Sequence, residues 1–424
     1  MAHASLTPKG RGFDKSLVYF EGAQDHFTQR SCCDPACLEP VNASTPCRTP
    51  GPSPYDLWVD DGTSAGAGSM GVGVPAAHLV ETAFNGHLFN DFAVQAVKDH
   101  DLAEGPLFMY LAPASAHSPL QAPARFIEMY PEEWYVDRRL YAAECSVWDE
   151  ILGNVTAAFK ARAGMWESTL LVFSADNGGP VYWSPGGDWF GGGGANNWPL
   201  KGGKASPWEG GVRASAFVSG GFVPTARRGT KLGARVHIAD WYATFCALAG
   251  FTPTDDVAAA AGLPPIDSVD LWPLLTGSNS TAPHEVMPLA VDVDVGQGTK
   301  DVYSALLMGE WKWVVGLALP QSFHQGPQFP NASIIPYGEF NNASYIQKCP
   351  DLGPLGGGCL YNLAKDPNES VDVAEANVEV VKRMRAQLDA VRGSKYQMPS
   401  DTSQQLACLR QKDEYNNFFG PWLR

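Results

Sequence analysis

The sequence predicts an α/β protein with a mixed, largely parallel central sheet and a smaller C-terminal α+β unit. Two near-continuous apolar runs, residues 106–112 and 169–174, each end in polar residues, as strands buried on both faces do. Between them, residues 135–160 carry apolar side chains at spacings of mostly four, which is typical of an amphipathic helix. Strand, helix, strand is a βαβ unit, so we expect the two strands to run parallel and close together.

The composition of the chain changes in its C-terminal third, which begins with a polar stretch that contains Asn and Pro. Residues 303–308 and 311–315 read as the two strands of a hairpin, and an apolar spacing of three and four predicts a helix that ends near Gly393. We therefore predict a main domain over residues 1–285 and a C-terminal α+β subdomain over residues 286–424. Within the main domain, Asp240 is the expected N-cap of a helix, with Gly250 as its C′ residue.

Composition narrows the possible partners. The 424 residues are 45% hydrophobic and 18% charged, which is ordinary for a globular protein. Forty-five Asp and Glu against 30 Lys and Arg give a formal net charge of -15, so nucleic acid is an unfavourable partner. No run reaches the roughly 18 apolar residues that a membrane helix needs. An anionic substrate would need a local cationic site that acts against this overall charge.

The cysteines and sequons indicate an oxidising compartment. Four of the nine cysteines form a dense group, Cys32, Cys33, Cys37 and Cys47, and two more form a close pair, Cys349 and Cys359. We expect at least one disulfide within the group and one that joins the pair. A zinc site is the weaker interpretation, because no Cys-x-x-Cys occurs. Six Asn-x-Ser/Thr sequons point to secretion as well: Asn42, Asn154, Asn279, Asn331, Asn342 and Asn368. The first eleven residues hold no apolar signal segment, which suggests a missing beginning.

Polar residues follow both apolar runs and are the candidates for chemistry. Asp176 and Asn177 offer a carboxylate and an amide oxygen, which suit Ca²⁺ or Mg²⁺, although an ordinary Asx turn explains them equally well. His117 follows the first run and could donate a hydrogen bond to an anion or a leaving oxygen, or simply bond to backbone. Lys204 could hold an anion, with Lys201 as its rival, and a solvated surface lysine is the plain alternative. Strand ends of a βαβ unit share one sheet edge, so we expect His117 near Asp176 and Asn177.

Many unusual phrases occur together along the chain. They are GRGFD at 10–14, EGAQDHF at 21–27, AHSPLQAP at 116–123, ECSVWDEILGNVTAAF at 144–159, FSADNGG at 173–179, NNWPLKGGK at 196–204, WEGGVR at 208–213, HIADWYATFCALAG at 237–250, VDLWPLLTG at 269–277, GEWKWVVG at 309–316 and LYNLAKDPNES at 360–370. In this order they resemble the type I sulfatases, most closely the arylsulfatase B branch.

The resemblance implies an alkaline-phosphatase-like sulfatase sandwich and a specific chemistry. In such enzymes a Cys or Ser within Cys/Ser-x-Pro-x-Arg becomes formylglycine, whose hydrate attacks sulfur, and Ca²⁺ holds the sulfate. By position, Asp176 and Asn177 match metal ligands, while His117 and Lys204 match residues that contact the sulfate and assist catalysis. Cations would offset charge on the sulfuryl group, and His117 would assist the leaving oxygen.

The sequence departs from the family pattern at its start. The early paired Asp, the formylglycine motif and a Lys-x-His segment are absent. Residues 44–48 spell Ser-x-Pro-x-Arg, but they follow GRGFD and lie in the cysteine-rich segment, so we expect Ser44 not to be the nucleophile. Asp60 and Asp61 are adjacent aspartates like the family's early metal-binding pair, but the sequence predicts a loop there, with no buried strand leading into them. Cys408 is a candidate for a cysteine that lost its partner upstream.

The leading hypothesis is a sulfuric ester hydrolase, secreted to the extracellular space or to a lysosome or vacuole, that cleaves sulfate esters of glycans or aryl sulfates. We expect the chain as written to show no turnover, and a version extended upstream to be active. The alternative is a catalytically inactive sulfatase-like protein that binds anions or glycans. A third hypothesis, a metal-dependent phosphoester hydrolase of the same superfamily, is disfavoured because the phrases are so specific.

Overall fold

The computed structural model describes most of the chain. The described residues are 3–31, 54–62, 72–183, 193–294, 302–319, 322–326, 335–336, 346–353, 356–395, 411 and 414–423. They divide into two compact units. The first comprises Met1–Ala163, Tyr182–Ala195 and Met398–Arg424, and the second comprises Gly164–Val181 and Asn196–Gln397. The predicted boundary between residues 285 and 286 falls inside the second unit, and the division into two domains at that point stays a prediction.

Strands and helices occur in groups along the chain. The strands are β1 (Ser16–Val18), β2 (Trp58–Asp60), β3 (Val74–Pro75), β4 (Leu171–Ser174), β5 (Tyr182–Trp183), β6 (Ala216–Ser219), β7 (Val286–Asp294), β8 (Val302–Met308), β9 (Trp311–Leu319), β10 (Ile335–Pro336), β11 (Gln347–Cys349) and β12 (Cys359–Asn362). The helices are α1 (Asn85–Asp99), α2 (Ala124–Ile127), α3 (Val136–Lys160), α4 (Glu209–Val212), α5 (Asp240–Leu248), α6 (Asp256–Ala260), α7 (Trp272–Thr276) and α8 (Val378–Gly393). The mixed α/β class is confirmed.

The first unit packs three helices into one apolar core. α3 begins one residue after the predicted start and ends at the predicted Lys160. Val147 and Ile151, four residues apart on α3, are almost completely buried, and they pack with residues of α1 and α2. The spacing of apolar residues along the sequence therefore identified the buried face of this helix.

A small antiparallel sheet of β1, β2 and β3 also belongs to the first unit. β2 contains the buried Trp58 and ends at Asp60, whose carboxylate is buried and lies 2.6 Å from the Lys9 ammonium. The expectation that no buried strand leads into Asp60 was therefore wrong. It failed because only three residues of the strand are regular and the neighbouring sequence is rich in Asp and Gly.

Residues 106–112 do not form the first strand of a βαβ unit. They are assigned to no strand, and burial alternates along them: Met109 and Leu111 pack on the helical core, whereas Phe108 and Tyr110 are 57% and 75% exposed. Within the described part of the second unit, β4 pairs antiparallel with β6. The expected parallel pair is therefore not among the ladders of the described strands, and the run is buried on one face instead of two.

The second unit ends in an antiparallel sheet covered by a helix. The sheet has the order β11-β9-β8-β7, with β12 also paired to β9, and β8 and β9 are the predicted hairpin. Met384 and Leu388 of α8 pack on it, as the apolar spacing predicts. A disulfide joins Cys349 of β11 to Cys359 of β12, which confirms that pairing. The cysteine group at 32–47 and Cys408 lie outside the described residues, as does Ser44.

Helix α5 begins at Asp240, and its N-cap is Ala239, so the expectation that Asp240 caps the helix was wrong by one residue. The Asp240 carboxylate still accepts the His237 backbone N–H at 2.8 Å, and it also binds the Nε2 atom of His284 at 2.8 Å. Gly250 follows the helix with a φ of +79°, as a C′ glycine does. None of the helices in the described ranges is both long and apolar enough to cross a bilayer.

Candidate functional site

Asp176 and Asn177 lie in a tight turn at the carboxyl end of β4. The Asp176 carboxylate is exposed and accepts the Asn177 backbone N–H at 2.8 Å, while the Asn177 side-chain amide donates to the Gly178 carbonyl at 3.0 Å. The amide therefore uses its N–H within the turn, so that its oxygen can serve as a ligand. Both the predicted Asx turn and the predicted ligand role are compatible with this geometry.

A segment that carries Lys204 packs directly against this turn. The Lys204 backbone N–H donates to the Gly179 carbonyl at 3.2 Å. Asn197 binds both sides of Gly179, accepting its N–H at 3.1 Å and donating to its carbonyl at 2.9 Å. The second unit thus brings Lys204 to the same turn as Asp176 and Asn177.

Glycines allow three stretches of backbone to touch at this turn. A Cβ atom at Gly178 would lie 1.7 Å from the Gly210 carbonyl oxygen, and one at Gly203 would lie 2.6 Å from the Gly179 oxygen. Gly178 also donates its N–H to the Gly211 carbonyl at 2.8 Å. No side chain fits at these contacts, so the turn, the Lys204 segment and α4 form one closely packed layer.

Lys204 and Lys201 differ in how deeply their side chains are buried. Lys201 is 5% exposed; its ammonium donates to the Gln347 side-chain oxygen at 2.5 Å and lies 3.8 Å from the centre of the Trp208 ring. Burial lowers the pKa of Lys201 to about 8. Lys204 is only half-buried. Lys201 is therefore occupied inside the protein, which favours Lys204 as the lysine that meets an anion.

His117 lies in the first unit, in a loop of irregular backbone that follows residues 106–112. Its backbone N–H donates to the Ala114 carbonyl at 3.0 Å, and its Nδ1 atom donates to the Ser118 carbonyl at 2.8 Å. Since a carbonyl can only accept, Nδ1 carries a hydrogen, and Nε2 is the ring atom that can take up or release a proton. The expectation that His117 faces the same point as Asp176 joins residues of different units and stays a prediction.

A metal ion would need more than the described residues supply. Asp176 and Asn177 offer two oxygen donors, whereas Ca²⁺ takes roughly six to eight. Within the part of the chain that the structure describes, no three His, Cys, Asp or Glu side chains form a group that could hold a metal. The described residues therefore do not make a complete calcium site.

Comparison with known proteins identifies the family. A sequence model of the family described as Sulfatase matches residues 2–251, which is more than half of the chain. The chain belongs to the sulfatase family. Mouse (Mus musculus) arylsulfatase J is 28% identical over 395 residues, which cover 90% of this chain and 56% of the relative. Dog (Canis lupus familiaris) N-acetylgalactosamine-6-sulfatase is 24% identical over 294 residues, covering 68% of this chain and 48% of the relative.

Solved structures agree on the fold of this sulfatase. The crystal structure of Ps i-CgsB superimposes with a TM-score of 0.61 at 22% identity, covering 98% of this chain and 75% of that chain. The alkaline-phosphatase-like sulfatase fold that the resemblance implied is thus confirmed. The sulfatase chain spans about half the length of the two curated relatives, so the activity of a whole sulfatase is a proposal for it.

Sequence reasoning missed a set of buried polar residues that support the His117 loop of this sulfatase. The His26 ring is 1% exposed; it is hydrogen-bonded to the backbone of His117 and, through Nδ1, to the Asn85 side-chain oxygen at 3.1 Å. Burial lowers the pKa of His26 to about 4. Burial thus favours the neutral form of the His26 imidazole beside the loop.

Gln121 connects the same loop to two acids. Its side-chain amide donates to the Asp25 carboxylate at 2.8 Å, and its backbone N–H donates to the Glu144 carboxylate at 2.6 Å. Burial raises the pKa of Glu144 well above its usual value. Except for Asn85, these polar residues occur inside the phrases that resemble the family, and their position there was the only signal in the sequence.

Proposed function

We propose that this protein is a sulfuric ester hydrolase of the arylsulfatase type that acts on sulfate esters of glycans or aryl sulfates. The observation that carries the proposal is the packing of the Lys204 segment on the Asp176–Asn177 turn. This arrangement places the lysine segment beside two hard oxygen donors at the end of a strand, which is a combination suited to an anion and its counter-ion. The resemblance to the arylsulfatase B branch is consistent with this and remains a proposal.

Each residue has a proposed role. Lys204 donates to a sulfate oxygen and offsets its negative charge. His117 delivers a proton from Nε2 to the leaving oxygen, because its Nδ1 is already bonded to the Ser118 carbonyl. Asp176 and Asn177 contribute two ligands to a calcium ion, which would supply counter-charge for the sulfate. The proposed roles of Lys204 and His117 do not depend on the ion.

The nucleophile is the part that the 424 residues do not provide. In this family a formylglycine supplies it, and the one Ser-x-Pro-x-Arg sequence, residues 44–48, follows GRGFD instead of preceding it. General electrostatic help from Lys204 and His117 does not replace a covalent nucleophile. We therefore propose that the 424-residue chain binds sulfate esters without hydrolysing them, and that an upstream extension with the motif confers turnover.

A non-enzymatic function is the second candidate. A sulfatase-like protein that keeps an anion contact but lacks a nucleophile could act by binding sulfated glycans alone. This candidate is favoured because the Ser-x-Pro-x-Arg sequence of residues 44–48 follows GRGFD instead of preceding it, and His117 and Lys204 would then serve for anion contact alone.

Secretion into an oxidising compartment, extracellular or lysosomal, completes the proposal. The disulfide between Cys349 and Cys359 supports it, because such bonds persist where thiols are not kept reduced. The sequons Asn154 and Asn279 lie at exposed positions, where glycosylation is sterically possible.

The proposal is tested by binding and by turnover. Calorimetric titration of the 424-residue chain with sodium sulfate should show binding that Lys204→Ala weakens to a lower but measurable affinity and that Lys231→Ala, at an exposed lysine of the same unit, leaves unchanged. An extended chain, secreted from cells that make formylglycine, should hydrolyse an aryl sulfate in the presence of Ca²⁺. Turnover by the unextended chain that Ser44→Ala abolishes would refute the assignment of the nucleophile. An inactive extended chain that still binds sulfate would favour the binding protein.

A further inference from the structure

A buried cluster of charged side chains lies behind the Lys204 segment in the second unit. The Lys312 ammonium, on β9, is completely buried and lies 3.1 Å from a Glu209 carboxylate oxygen and 2.8 Å from one of Glu369. Lys201 is also buried, and its ammonium lies 3.4 Å from the Glu369 carbonyl oxygen. Two ammonium groups and two carboxylates balance in charge, which a buried cluster requires because an unpaired charge there is costly.

This cluster holds both ends of the segment that carries Lys204. At one end, the Glu209 backbone N–H donates to the Glu369 carboxylate at 2.6 Å, so Glu209 is fixed through its side chain and its backbone. At the other end, the Lys201 carbonyl accepts the Gly210 N–H at 2.7 Å, which closes the segment into a loop. Lys204 lies between these two anchors.

The same anchors reach the turn that carries Asn177. Gly211, two residues after Glu209, accepts the Gly178 N–H at 2.8 Å, and no Cβ atom fits between Gly178 and the Gly210 carbonyl. A shift of Glu209 is therefore transmitted through backbone contacts to the Asn177 side of the turn, with no flexible side chain to absorb it.

We propose that Lys312 and Glu209 are positioning residues for Lys204, and that through them the C-terminal sheet sets the affinity of the site for sulfate. The inference rests on the proposed function, because it takes Lys204 as the sulfate contact. Lys312 is completely buried, so it acts at a distance from any anion. It acts by fixing the carboxylate that fixes the loop.

The test uses the full 424-residue chain with inorganic sulfate as the probe. Lys312→Met and the nearly isosteric Glu209→Gln should each weaken sulfate binding by about tenfold or more, as expected when one charge-assisted hydrogen bond is lost. Backbone amide exchange at Gly210 and Gly211 should accelerate in both variants. The matched control is Arg392→Met, which breaks the Arg392 to Asp292 ion pair elsewhere in the same unit and should change neither quantity.

Epistasis distinguishes positioning from a general effect on stability. In a Lys204→Ala background, Lys312→Met should cause no further loss of sulfate affinity, because the contact that it positions is already gone. Additive losses, or unchanged affinity with unchanged amide exchange in Glu209→Gln, would overturn the proposal.

Failure of the proposed function has a different signature. If Lys204→Ala alone leaves sulfate binding intact, Lys204 is not the sulfate contact, and the positioning is judged on exchange alone. Faster exchange at Gly210 and Gly211 in Lys312→Met then supports the anchoring of the Lys204 segment but overturns its effect on sulfate affinity, and unchanged exchange overturns both.

Discussion

Acidification should destabilise this protein through His26, and the size of the effect follows from its burial. Burial lowers the pKa of His26 to about 4, against 6.5 for an ordinary histidine. Between pH 4 and pH 6.5 the unfolded chain therefore binds a proton at this side chain, whereas the folded protein does not. The contribution of His26 to the free energy of unfolding is complete above pH 6.5 and is lost as the pH falls toward 4. The full difference corresponds to about 3 kcal/mol, of which about 2 kcal/mol is already lost at pH 5.

The measurement is urea unfolding of the native chain and of His26→Gln at pH 8 and at pH 5. Several buried acids also titrate in this range, so the informative quantity is the difference in unfolding free energy between the two proteins at each pH. That difference should shrink by about 2 kcal/mol on acidification. Asp25 and His117 are the charged or titratable neighbours of the His26 ring, and both are unchanged in the variant. His78→Gln, at an exposed site, serves as the control.

A difference that stays constant from pH 8 to pH 5 would refute the reasoning. It would mean that His26 takes up its proton in the folded state without penalty, for example because both ring nitrogens donate to the surrounding oxygens. The His117 loop would then be supported by an imidazolium.

Two further predictions concern the second unit. Gly178→Ala should abolish sulfate binding in calorimetry, because its methyl group would lie 1.7 Å from the Gly210 carbonyl oxygen. The control Gly233→Ala, whose methyl group would enter open space, should bind sulfate normally. Equal binding by both variants would contradict the close packing of the turn, the Lys204 segment and α4. Replacing Cys349 and Cys359 together by Ser should lower the free energy of unfolding by about 3 kcal/mol, from the closure of a short loop, as measured by urea unfolding. No change in the midpoint would show that the bond does not restrict the unfolded chain.

Elements specified by local spacing were predictable. α3 and the β8–β9 hairpin match their predicted ranges closely, because residues a few positions apart determine each of them. Residues 106–112 were not predictable in this way. Composition marks them as apolar, but it does not show whether one face or both are covered, and Phe108 and Tyr110 proved exposed.

The candidate site was likewise predictable only in part. Asp176 and Lys204 were found because they sit in recognisable phrases, and the second unit packs their two segments together. Glu209, Lys312 and Glu369 also lie in such phrases, but their pairing could not be found, since Lys312 lies 103 positions and Glu369 160 positions from Glu209. Which buried charge meets which partner is decided by the register of the C-terminal sheet, and no local pattern records it.

The buried cluster also bears on how the chain can be cut. A fragment that ends at residue 285 would contain Asp176, His117 and Lys204, and by sequence it would look self-sufficient. It would lack both Lys312 and Glu369, so Glu209 would keep only the exposed Arg213 guanidinium, 3.9 Å away, as a counter-charge. The neighbouring Trp208 ring would lose the sheet on which it normally packs. Proteolysis or alternative splicing near this position should therefore yield a piece that retains Asp176, His117 and Lys204 but not the shape of its anion loop.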